Sequence, residues 1–97
     1  MAGRERERAV AVRIEGSVQG VWYRGWAIAE DERRGLRGWV RNRTDGSVEA
    51  LFVGPEASVA DMVAACRRGP PAARVSHVIE RRAEDDGSPA FRQRPSE

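Results

Sequence analysis

Lysine is absent from these 97 residues, and cysteine, histidine, tyrosine and asparagine occur once each. A single cysteine, Cys66, excludes an internal disulfide and suits a reducing compartment. With one histidine as well, a metal site built on imidazole or thiolate has too few ligands, and the scattered carboxylates show no ligand spacing. No apolar run is long enough to cross a bilayer. The Arg4-Glu5-Arg6-Glu7-Arg8 alternation is followed by no apolar signal region. A cytoplasmic protein with no membrane partner is expected. Because lysine is missing, all 17 basic residues are arginine, and they are interspersed with 15 acids to leave a net charge of +2. Mixed charge without a basic cluster argues against a nucleic-acid partner, despite a pI near 9.4.

What is present reads as one small domain, near the lower size limit for a useful core. Residues 1–8 are expected to be a solvated leader, residues 9–94 the domain and 95–97 a tail. Val10, Val12 and Ile14 alternate in a first strand over 9–14. A helix is expected over 21–34, ending at Gly35 after Arg33 and Arg34. Glu30 to Arg34 is an unbroken charged run, so the second half of this helix is expected to be poorly buried or frayed. Strands over 36–41 and 47–53 flank the turn Asn42-Arg43-Thr44-Asp45-Gly46-Ser47, in which Asp45 shapes the Asp-Gly bend. Gly54-Pro55 should break the third strand, and Ser58 to Asp61 resembles a capping box. Val59, Met62, Val63 and Cys66 then make the apolar stripe of a second helix. A fourth strand over 73–81 and a short last one over 90–94 complete the chain. The order βαββαβ predicts an α+β, ferredoxin-like split βαβ domain: an antiparallel sheet with two helices on one face.

The stretch with chemical content is Gly16-Ser17-Val18-Gln19-Gly20-Val21-Trp22-Tyr23-Arg24. It joins a strand to a helix start, where backbone N–H groups point outward and the helix end adds partial positive charge. Such a turn favours an anion, phosphate in particular. Arg24, one turn into the helix, can reach back and grip phosphate oxygens in bidentate fashion. In the expected topology this loop approaches the end of the second strand, where Asn42 offers a donor and an acceptor suited to orienting a water.

These residues also carry a resemblance. Gly16 to Arg24 is similar to the acylphosphatase signature G-x-V-Q-G-V-x-F/Y-R. Gly38-Trp39-Val40-Arg41-Asn42 with Asp45-Gly46-Ser47-Val48-Glu49 resembles the family's second signature, and Arg67 to Ala72 with Val75 its R-x-G-P-x-A-x-V segment. The likeness spans residues 9 to 94. It implies hydrolysis of the carboxyl–phosphate bond of small acyl phosphates, with inorganic phosphate as product and no cofactor or metal. It implies a phosphate-binding role for Arg24, water positioning by Asn42, and a cradle of loop amides around Gln19 to Tyr23. Ala27, Asp31 and Arg34 depart from the family pattern and put the packing of the first helix in question.

The remaining special residues read as structural. His77 is expected packed or at the surface, Cys66 in the core, and Trp22, Trp26 and Trp39 packed rather than stacking bases. The chain is expected to be monomeric. Two other classes share these features: a phosphate- or RNA-binding module without turnover, and the acylphosphatase-like domain of larger carbamoyl-phosphate-handling proteins.

Overall fold

The computed structural model describes residues 6–97, and the expectations for residues 1–5 lie outside them. The elements are β1 (Glu7–Ser17), α1 (Tyr23–Arg34), β2 (Arg37–Asn42), β3 (Val48–Pro55), α2 (Glu56–Arg68), β4 (Arg74–Arg82) and β5 (Phe91–Gln93). One five-stranded sheet has the order β4-β1-β3-β2-β5. The two central strands, β1 and β3, pair antiparallel with Val12 opposite Ala50. Val10, Val12 and Ile14 of β1 and Val48, Ala50 and Phe52 of β3 point to one face, as a period of two requires. There they meet Val59, Met62, Val63 and Cys66 of α2, and Tyr23 and Ala27 of α1. Both helices cover that face, and a smaller cluster of Ala9, Leu51 and Val53 lies on the other. Among the described residues, no helix is long and apolar enough to cross a membrane.

Four expectations about the strands and α2 need correction. The sheet is mixed, because β5 pairs in parallel with β2, Gly38 facing Phe91 and Val40 facing Gln93. The chain leaves β4 at one edge and reaches the other through residues 83–90, which reverses its direction. Arg37 holds that crossing through Asp85 and the Ser88 carbonyl. Second, β1 begins at Glu7, inside the expected leader, and pairs Glu7 with Pro55 and Arg8 with Gly54. Third, with those partners supplied, β3 continues through Gly54 and Pro55 instead of breaking. Fourth, α2 starts directly after Pro55, so Ser58 is inside the helix and caps nothing. The Glu56 N–H is satisfied by the Arg6 carbonyl at 2.8 Å, which replaces a side-chain cap.

The second half of α1 is also packed, not frayed. Tyr23, Ala27 and Asp31 recur every four residues and share the buried face. Arg34 is anchored at 2.8 Å to both Glu30 and Asp61 of α2. Asp31 is fully buried, and neither carboxylate oxygen has a hydrogen-bond partner among the described residues. Burial pushes its pKa from 3.8 up to about 8; Arg34 opposes the rise and Glu30 adds to it. Cys66 faces it from α2, its own thiol pushed up to about 12, chiefly by burial.

Between pH 3.8 and about 8 the folded chain holds a proton on Asp31 that the unfolded chain has released. Stability therefore falls as pH rises through that window, by about 1.4 kcal/mol per unit at most. Urea midpoints measured from pH 5 to 8 should drop for the native chain, and Asp31→Asn should flatten the drop. Parallel curves for the two proteins would contradict this account.

Candidate active site

The loop from Val18 to Trp22 hangs between three anchors. At its start, a β-bulge between Glu15 and Gly16 shifts the register against β4. Gly16 has φ 128°, and a Cβ there would stand 2.1 Å from the Arg74 carbonyl oxygen, so only glycine lets β4 approach. In the middle, Val18 is buried in the core, and the Gln19 carboxamide donates to the carbonyls of Arg43 and Ser47 at 2.7 and 2.8 Å. Those two carbonyls flank the β2–β3 turn, so Gln19 ties the loop to the strand end that carries Asn42. At its end, Tyr23 is buried and donates its hydroxyl to the Cys66 carbonyl at 2.7 Å, fixing the start of α1 to α2. Burial, first, and the Cys66 contacts push the Tyr23 pKa far up, so the phenol stays a donor.

Between these anchors Gly20 and Trp22 have φ 76° and 66°. Alternating left-handed residues turn successive N–H groups to one side. The helix then begins without a side-chain cap and with no acid in its first turn. The Trp26 N–H closes the first helical bond onto Trp22, which leaves the preceding N–H groups of α1 without intrahelical partners.

Asn42 is the last residue of β2 and shares the helix-covered face with Val40, two residues before it. Its backbone is held by pairing with Val48 and by the Glu97 N–H, which donates to its carbonyl at 3.0 Å. Loop, helix start and strand end enclose a cavity of about 200 Å³, lined by Val18, Gln19, Gly20, Trp22, Tyr23, Arg24, Gly25, Asn42 and Gln93. Among the described residues, Arg24 is its one charged residue, and no carboxylate pairs with it. An anion entering there meets a cation and helix-start amides without intrahelical partners, with Asn42 in the same lining.

Arg24 and Asn42 thus line the same space, with Val18, Gln19, Gly20, Trp22 and Tyr23. Gly16 and Ser17 are strand residues against β4 and do not line it, and Val21 packs on the core. Gly25 and Gln93 line the cavity without having been singled out in the sequence. Gln93 carries no sequence signal, since its place comes from the parallel pairing of β5. Trp22 is exposed where packing was expected. Trp26 meets Tyr23 edge to face at 5.1 Å, and Trp39 lies under Arg41 and Arg94. His77 is at the surface, and Asp45 shapes its turn by accepting from Ser47. Among the described residues, no three His, Cys, Asp or Glu side chains gather closely enough to hold a metal ion.

A larger hollow of about 390 Å³ lies on the helix-free face by Arg13, Arg43, Ile79 and Arg81. Arg13 is paired with Glu15 and Asp45 there, and Arg43 with Glu49. It has no helix start and no loop of outward-turned amides.

An α+β sandwich with this strand order and both helices on one face of the sheet belongs to the class of ferredoxin-like folds. The comparisons are more particular. The acylphosphatase family model matches residues 10–93. An acylphosphatase of Rhodospirillum rubrum is 54% identical over 89 residues, covering 92% of this chain and 98% of its own. The acylphosphatase structure from Coxiella burnetii superposes with a TM-score of 0.89 at 31% identity, over 95% of this chain and 99% of that one. That from Bacillus subtilis gives 0.85 at 32% identity, over 91% and 98%. The chain belongs to the acylphosphatase family.

Proposed function

We propose that the chain hydrolyses acyl phosphates to a carboxylate and inorganic phosphate, without a metal, by attack of an Asn42-positioned water on a phosphoryl group bound by Arg24 and the loop amides. The observation that carries this reading is the convergence of Arg24, Asn42 and the start of α1 on one cavity. The chemistry needs little else. The new bond joins the water oxygen to phosphorus. The phosphorus–oxygen bond to the acyl group breaks, its electron pair leaves with the carboxylate, and the water proton is released with the products. A leaving carboxylate, whose acid has a pKa of about 4 to 5, requires no general acid. What remains is to hold the phosphoryl group, stabilise its oxygens and align the water in line. The anchored loop amides and Arg24 meet the first two needs, and Asn42 the third.

Release of inorganic phosphate from benzoyl phosphate tests the reading. Turnover should be undiminished by EDTA; loss of activity on chelation would overturn metal independence. Oligonucleotide binding that weakens steeply with salt, with no phosphate released, would instead mark a binding module.

A further inference from the structure

Trp22 is the feature that hydrolysis by Arg24 and Asn42 leaves unexplained. The residue is 68% exposed, and it belongs to neither apolar cluster. Its backbone is the one left-handed non-glycine among the described residues, a conformation a bulky residue adopts only when its surroundings impose it. The ring is also given a floor. A Cβ at Gly25 would lie 2.1 Å from the indole Nε1 and 2.5 Å from Cε2, so the ring rests directly on the first turn of α1. A strained backbone and a glycine underneath thus hold an apolar ring at the cavity beside Gly20 and Arg24. Core packing does not account for this, because the ring is left in solvent.

Resting on the acyl phosphate reading, we infer that Trp22 is a specificity-determining residue: its indole receives the acyl group, and the favoured substrates are acyl phosphates with a planar apolar acyl group. In-line displacement sets the direction. Of the lining residues, Asn42 and Gln93 come from the sheet, while Trp22 and Gly25 come from the loop and the start of α1. A water held at Asn42 enters from the sheet side, so the carboxylate departs on the opposite side of phosphorus, where the indole stands. A planar acyl group there stacks on the exposed ring. An acyl group with its own negative charge finds no second cation, since Arg24 is the one charged residue of the lining and is engaged by the phosphoryl oxygens.

The test compares kcat/KM for benzoyl phosphate and acetyl phosphate in the native chain, Trp22→Ala and Trp22→Phe. The benzoyl-to-acetyl ratio should fall about tenfold in Trp22→Ala, the upper end for an aromatic pair, chiefly through KM for benzoyl phosphate. Trp22→Phe should keep most of the ratio. The ratio cancels any loss of folded protein, so a parallel fall with both substrates, or an unchanged ratio, overturns the role of Trp22. A native chain that cleaves acetyl phosphate but not benzoyl phosphate overturns the inference alone. One that cleaves neither overturns the acyl phosphate reading with it.

Discussion

Replacing Asn42 with alanine should lower kcat for benzoyl phosphate about a hundredfold or more, while the inhibition constant for inorganic phosphate changes little. The magnitude is that for losing one preorganised polar group acting on the reacting centre. The structure makes the substitution a clean one. The backbone of Asn42 is held by Val48 and Glu97, and the clamp between loop and hairpin is made by Gln19, so removing the carboxamide disturbs neither. If the carboxamide orients the attacking water, ground-state affinity survives and turnover does not. An Asn42→Ala protein with native kcat would remove this residue from the mechanism.

Arg24→Ala should behave differently, weakening phosphate inhibition and turnover together, with kcat/KM down about a thousandfold. Hydrogen bonds to a charged group are worth about 1.5–3 kcal/mol each, so losing two costs about 3–6 kcal/mol, a range that spans the roughly 4 kcal/mol a thousandfold represents. No described carboxylate pairs with this guanidinium, so its removal orphans no buried charge, and thermal stability should hold. Arg24→Lys should recover only part of the loss, because an ammonium cannot reproduce the planar two-point grip. Steady-state kinetics with phosphate as competitive inhibitor, run side by side on the Asn42 and Arg24 variants, separates the two roles. If Arg24→Ala left phosphate inhibition intact, the anion would have to bind elsewhere.

The acid on the inner face of α1 shows where reading along the chain fails. Tyr23, Ala27 and Asp31 lie on one stripe by period alone, yet a charged residue there argues for exposure. What reversed the outcome is α2 closing over the site, which removes water from the carboxylate and raises its pKa until it is neutral through most of the physiological range. Trp22 failed in the opposite sense. A tryptophan is expected to pack, but its left-handed backbone and the glycine three residues later place the ring outside the core.

The order of strands and helices, the apolar faces of β1, β3 and α2, and the loop that ends at Arg24 were all determined within the sequence itself. They rest on periods of two and 3.6, on turn residues and on a nine-residue motif, which act over a few neighbouring positions. The tertiary structure alone decided that β5 joins β2 in parallel, that Gln19 clamps the β2–β3 turn, that Gln93 reaches the cavity and that Asp31 is dry. Each of these depends on residues far apart in the chain meeting across the sheet or between the helices, and no local pattern encodes which distant backbone will supply the missing hydrogen bond or exclude the water.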